Sequence, residues 1–148
     1  MMKLSTKGRY GTRLMVELAL NYGKGLVLLK DIAKKQEISE GYLVHILPPL
    51  KAAGLVNSSR GAHGGYALAK APSEITLGEV VGAVEGNLAV AECVTAPKIC
   101  HRVDFCVTRD IWKDMSEKMT EVLDSTTLED MVSRQKQKQK PQPLMYNI

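Results

Sequence analysis

Leu55-Val56-Asn57-Ser58-Ser59-Arg60-Gly61-Ala62-His63-Gly64-Gly65-Tyr66-Ala67-Leu68-Ala69 is the stretch whose reading decides the fold. Leu55–Ser59 and Tyr66–Ala69 have the length and makeup of two short strands. Between them, Arg60–Gly65 carries three glycines, which accept the positive φ of a tight reversal. The stretch therefore predicts a β-hairpin with a glycine-rich tip.

Working upstream, three helices precede the hairpin. Tyr10, Leu14, Leu18 and Tyr22 recur at helical spacing with Arg9, Arg13 and Glu17 between them, predicting a helix over about Lys7–Asn21. Tyr22-Gly23-Lys24-Gly25 breaks it, and the apolar run Leu26-Val27-Leu28-Leu29 leads into a second helix over about Lys30–Gln36. Ser39 can cap a third, because its hydroxyl accepts a free amide of the first turn, and Ile38 and Leu43 flank it at staple spacing. That helix is predicted to run to about Leu47, to be interrupted or kinked by Pro48-Pro49, and to resume for one turn that Gly54 ends. The step from Ala33 to Leu43 has the spacing of a helix-turn-helix, with Glu37 where a glycine often stands. Helix, helix, helix and hairpin is the order of a winged helix-turn-helix, a mostly α fold with a small β-hairpin wing.

Downstream, Thr76 and Glu79 form a capping box with Ile75 and Val80 as its staple, so a helix starts there. Residues 85–106 have no amphipathic period and contain Pro97, which predicts a loop. A long helix follows over about Thr108–Asp124, with Ile111, Met115, Met119 and Val122 along one face and Trp112 and Leu123 beside them. Its Met-rich face awaits a partner. Thr126-Thr127 caps a last short helix through Ser133, and the Lys/Gln-rich run Gln135–Pro143 reads as disordered.

The 148 residues suit one domain, or a small domain with an appendage, and 45% hydrophobic with 24% charged residues is an ordinary globular composition. With 5% aromatic residues the core must be aliphatic. No apolar run is long enough to cross a bilayer, and the opening residues are too polar for a signal peptide. A cytoplasmic protein with no membrane partner is expected. Charge divides the chain. Residues 1–70 hold eleven basic and four acidic side chains, a net +7, whereas residues 71–133 hold five and twelve, a net −7. A basic amino-terminal half suggests that it meets a polyanion.

In a winged helix the third helix fits the major groove and the hairpin tip reaches an adjacent minor groove. The candidate DNA-binding residues are accordingly Ser39, Gly41, Tyr42 and His45 on the third helix and Arg60, His63 and Gly64 in the wing. Lys3, Lys7 and Arg9 are candidate phosphate anchors at the start. Arg60 suits the narrow, strongly negative minor groove. Tyr42 either supports its helix or touches a phosphate, and His45 either contacts DNA or is a solvated helix residue.

The three cysteines are an odd set confined to fourteen positions, spaced Cys93-x6-Cys100-x5-Cys106. That clustering points to metal or redox chemistry rather than a disulfide scaffold. Three thiolates suit an iron–sulfur cluster with one further ligand; with His101 they would suit zinc; without metal they could form a thiol switch or be buried thiols. Catalysis is not expected. His101 beside Cys100 in sequence is no nucleophile–base geometry, and there is no phosphate-binding loop.

The chain resembles the bacterial winged-helix regulators that include the iron–sulfur cluster regulator, the nitric-oxide-sensitive repressor and the cysteine-metabolism repressor. The resemblance is carried by Met2–Tyr10, Ile38–Leu43, Ala53–Val56, the Arg60-Gly61-Ala62-His63-Gly64-Gly65-Tyr66 wing and Ile75–Glu79, and covers roughly residues 2–134. It implies a regulator, usually a repressor, that binds a dyad-symmetric double-stranded operator as a homodimer. The dimer would be held by Ile111, Trp112, Met115, Met119, Val122 and Leu123 of the long helix. It also implies a 2Fe-2S or 4Fe-4S cluster on Cys93, Cys100 and Cys106, which in some members changes the DNA bound. Where one branch has a histidine ligand this chain has Arg109, and where another has a carboxylate it has Arg9; neither guanidinium can ligate. His101, Asp104 and Glu92 remain as fourth-ligand candidates, beside the partner subunit or solvent. A cluster-free regulator answering to thiol oxidation or a small metabolite is the alternative. The implied organisation is a DNA-binding domain over 1–84, a cysteine loop over 85–107, dimerisation helices over 108–134 with help from the first helix, and a disordered tail over 135–148.

Overall fold

The computed structural model describes residues 2–140. In chain order it has α1 (Thr6–Leu20), α2 (Leu29–Gln36), α3 (Glu40–Ala52), β1 (Val56–Ser59) and β2 (Gly65–Leu68). A 3-10 turn (Pro72–Glu74), α4 (Leu77–Glu85), the single turn α5 (Glu92–Thr95) and a second 3-10 turn (Pro97–Ile99) follow. The chain closes with α6 (Val107–Asp124) and α7 (Leu128–Gln139).

Local chemistry starts most of these helices. Ser5 caps α1 by accepting from Gly8 N, and Ser39 caps α3 by accepting from Tyr42 N. The Thr76–Glu79 box forms in both directions, at 3.1 and 3.0 Å, and Thr127 with Asp130 makes a second box at the head of α7. Each satisfies amides that a helix start otherwise leaves without partners. One aliphatic core then joins the elements. Leu14, Met15 and Leu18 of α1, Ile32 of α2, and Leu43, Ile46 and Leu50 of α3 are fully covered. Ile75, Val80 of α4 and Leu128 of α7 close the other side.

The hairpin is antiparallel, with Val56 opposite Leu68 and Ser59 opposite Gly65. The run Leu26–Leu29 does more than lead into α2. Val27 and Tyr66 exchange two main-chain hydrogen bonds of 2.8 Å, adding a third, one-residue strand that anchors the wing to the helices. Gly65 is required at that crossing: a Cβ there would stand 2.6 Å from the Val27 carbonyl oxygen.

Four sequence expectations need correction. Pro48-Pro49 does not interrupt α3, which runs unbroken to Ala52. The carbonyls deprived of donors are those of Val44 and His45, both on the exposed side where water can serve them. Leu47 and Leu50 are buried and hold the last turn in register. The span 85–106 is not all loop, since it contains α5 and a 3-10 turn begun by Pro97. α7 passes Ser133 and continues to Gln139, so residues 135–139 are helical rather than part of a disordered tail. Its Met131 and Val132 pack on the core, and Lys136 and Lys138 sit in its last turn, where cations suit the helix dipole. The remainder of the expected tail, 141–148, lies outside the described residues. Finally Glu17, read as one of the charged residues between apolar positions, is 3% exposed.

α6 is built differently from the rest. Ser116 is its one buried residue. Ile111, Trp112, Met119 and Val122 are exposed, Val122 by 64%, while Met115 and Leu123 are half-buried. Among the described residues no helix is long and apolar enough to cross a membrane.

Candidate nucleic-acid interface and cysteine segment

The geometry of the interface begins at the turn between α2 and α3. Glu37 has φ 55° and ψ 44°, the left-handed conformation that a glycine takes without strain. The chain is thus bent as in a helix-turn-helix although the preferred residue is absent. The Ile38 amide closes back onto the Ala33 carbonyl at 3.1 Å, and Ser39 caps α3 through the Tyr42 amide at 3.2 Å. Gly41, Val44, His45, Pro48 and Lys51 are exposed along α3, forming its outward face. Tyr42 is half-buried and meets the Tyr10 ring edge-on, with centroids 5.4 Å apart. It therefore supports the helix against α1. The His45 ring lies 6.3 Å from Tyr42 on the outer side.

In the wing, Arg60 and His63 are exposed at the hairpin tip, and Gly61 turns the chain at φ 104°. Gly64, a candidate DNA contact, has a demand of its own. Its amide bonds the Gly61 carbonyl at 3.0 Å, and a Cβ there would stand 2.4 Å from the Ser59 carbonyl oxygen. Hairpin closure alone requires glycine at that position.

The amino-terminal cations divide. Lys7 and Arg9 are exposed on the first turn of α1, where Arg9 donates to Thr6 Oγ1 at 3.3 Å. Lys3 instead lines a groove of about 740 Å³ with Leu4, Glu85, Met119 and Val122, on the α4–α6 side of the molecule. Glu85 holds this end of the chain: its Oε1 accepts from Ser5 N at 2.8 Å and from the Ser5 hydroxyl. Gly8 fits beneath because a side chain there would meet that carboxylate.

The cysteines occupy three kinds of position. Cys93 is in α5, Cys100 follows the second 3-10 turn, and Cys106 immediately precedes α6. All three are free and half-buried. Two polar clasps hold the segment to α6. Arg109 Nε donates to the Cys93 carbonyl at 3.1 Å. Ser116 Oγ accepts from the Val90 amide at 3.0 Å and donates to the Trp112 carbonyl at 2.8 Å. The Cys106 thiol is held below the usual thiol range. The Thr108 hydroxyl does most of this, with the Arg109 and Thr108 amides and the Arg102 charge adding to it. As donors, three free soft thiols fit an iron–sulfur cluster. Yet among the described residues no three His, Cys, Asp or Glu side chains are gathered as a metal site, and Glu92, His101 and Asp104 are all exposed.

Sequence reasoning overlooked several residues that hold these parts together: Glu17, Gln36, Glu85, Ser116, and Arg109, whose guanidinium donates to a main-chain carbonyl. Glu17 alone left a trace, since it lies one position from Leu18 on the face that carries the core. The others act through partners 16 to 80 positions away in sequence.

Known proteins share this architecture. The family model Rrf2, described as an iron-dependent transcriptional regulator, matches residues 4–134. The chain is 43% identical over 132 residues to the HTH-type transcriptional regulator CymR of Bacillus subtilis, covering 89% of this chain and 91% of the relative. It is 40% identical over 134 residues to the HTH-type transcriptional regulator IscR of Klebsiella pneumoniae, covering 90% and 82%. Among solved structures, T. potens IscR superposes with a TM-score of 0.80 at 41% identity, over 98% of this chain and 96% of that one. Two regulators of different name are thus nearly equally similar, and identity does not choose between them. The three-helix bundle, the turn at Glu37, the glycine-closed wing and the match across almost the whole chain lead to one conclusion: the protein belongs to the Rrf2 family of winged-helix, DNA-binding transcriptional regulators.

Proposed function

We propose that the chain is a cytoplasmic homodimeric repressor whose grip on a dyad-symmetric operator is set by the state of its three cysteines. Two copies of α6 would pair through Ile111, Trp112, Met115, Met119, Val122 and Leu123, removing their apolar surface from water. Each protomer would present the outer face of α3, with Gly41 and His45, to a major groove. Arg60 of the wing would enter the neighbouring minor groove, where a cation is favoured by the narrow walls. Lys7 and Arg9 are the amino-terminal residues best exposed for phosphate, with Lys3 turned toward α6.

The observation that carries the sensing role is the clasped segment: three free, half-buried thiols on short elements tied to α6 by Arg109 and Ser116. Cys93, Cys100 and Cys106 would hold an iron–sulfur cluster, with His101, Asp104, Glu92, a partner group or solvent as fourth ligand. The cluster would supply iron that reacts with oxidants or nitric oxide. The protein's own part is to hold the thiols and to pass their arrangement through the two clasps to the dimer helix. A cluster-free thiol switch is the second reading, favoured by the lowered Cys106 thiol and by the ungathered ligand set.

Anaerobic purification decides between them, with iron and sulfide assay, optical and electron-paramagnetic spectra, and operator binding before and after chelation. The cluster reading expects iron and sulfide in near-equal amounts, visible absorption and a change of affinity on removal. Colourless protein whose DNA affinity follows thiol oxidation selects the second. Identical affinity in every state ends both.

A further inference from the structure

Arg13 is an exposed cation in the basic half of the chain, and charge alone would send it to a DNA phosphate. Its surroundings argue otherwise. Nε donates to Gln36 Oε1 at 3.0 Å, and Nη2 donates to the main-chain carbonyl of the same residue. Gln36 is the last residue of α2, so that carbonyl is one of the acceptors a helix end leaves free. The next peptide enters the left-handed turn at Glu37. The Gln36 side-chain Nε2 in turn donates at 3.1 Å to Glu17 Oε1, a carboxylate buried at the α1–α2 junction. The Arg13 guanidinium also stands 5.3 Å from the Tyr10 ring centroid, and Tyr10 meets Tyr42 in the first turn of α3. One planar group therefore joins α1 to the end of α2 and, through a ring, to the start of α3.

We propose that Arg13 is a positioning residue for DNA recognition: it fixes the angle of the helix-turn-helix and neutralises no phosphate. This rests on the DNA-binding reading above. α3 spans about 20 Å at 1.5 Å per residue, so a tilt of about 5° at the turn moves its far end by more than about 1.5 Å. That displacement exceeds what base-edge hydrogen bonds tolerate. Non-specific attraction depends on charge and is indifferent to such an angle. A fork that donates twice to one residue while lying beside a ring is arginine chemistry, which lysine cannot reproduce.

The test compares native protein, Arg13→Lys, Arg13→Gln and Gln36→Ala on two probes. One is a duplex selected by the native dimer from a random pool; the other is a scrambled duplex of equal length. Arg13→Lys keeps the charge but loses the fork. It is expected to bind the selected duplex about tenfold more weakly and the scrambled one within about twofold, with an unchanged salt slope. Gln36→Ala removes the side-chain acceptor of the Arg13 fork without changing any charge, and should show the same selective loss, deciding the matter if Arg13→Lys melts early. The double variant Arg13→Lys/Gln36→Ala should lose little more than either single one. A lysine that restores native binding, or a glutamine that weakens both duplexes alike and lowers the salt slope by about 0.9, makes Arg13 a phosphate contact and overturns the proposal. If the native chain selects no duplex at all, the DNA-binding reading fails and this one with it; if only the Arg13 variants behave as native, this one fails alone.

Discussion

The helix-turn-helix and the cysteine segment sit on either side of α4 and are stabilised in opposite ways. From Leu14 to Val84 the chain is held by a continuous aliphatic core, by capped helices and by the buried Glu17 with its Gln36 and Asn21 partners. From Gly86 to Cys106 no residue is buried, Ile99 and Phe105 are exposed by 56% and 64%, and the ties to α6 are single hydrogen bonds. A surface that reads DNA must keep angles and distances constant. The sensing role proposed for the cysteine segment requires a change of shape at low cost, and few buried contacts are what would permit that. α4 links the two regions: it packs on α1 and α3 on one hand and on α6 on the other, and its last residue, Glu85, grips Ser5 at the head of α1.

This contrast can be broken at several points. The largest effect is expected from Leu43→Ala, which opens a cavity in the core and should cost about 2–5 kcal/mol. Cys100→Ala should leave thermal unfolding within about 0.5 kcal/mol of native; an equal loss for the two in parallel melts would erase the distinction. Arg60→Ala should weaken operator binding by roughly tenfold, chiefly at minor-groove positions, without changing the melt. Footprints with unaltered affinity and base preference would remove the wing from recognition. Ser116→Ala frees the Val90 amide and should cost about 1 kcal/mol. Hydrogen exchange should quicken near Val90 while α3 stays protected, and uniform acceleration would mean the segment is not a separate unit. The smallest effect is on Cys106. In a Cys93→Ala/Cys100→Ala background its alkylation should persist to lower pH than that of free cysteine, slowing as pH falls and the thiolate is protonated. Thr108→Val should move that profile upward; if it does not, the Thr108 hydroxyl is not the main stabiliser of the thiolate.

Sequence by itself determined what depends on neighbours along the chain. The Thr76–Glu79 box, the Ser39 cap and the glycine-closed wing were legible because each is satisfied within a few residues. The aliphatic core followed from composition, and the family from motifs spread over residues 2–134. Tertiary structure decided the rest. It kept α3 whole through Pro48-Pro49, because burial of Leu47 and Leu50 outweighs two missing amides whose carbonyls face water. It carried α7 beyond Ser133 by packing Met131 and Val132 against the core. It held Glu37 in a conformation glycine prefers, since the helices on both sides are fixed elsewhere. It buried Glu17 and set the guanidinium groups of Arg13 and Arg109 to donate to main-chain carbonyls. Partners far apart in sequence meet only after the chain has collapsed, and hydrogen bonds between them carry no local pattern to be read beforehand.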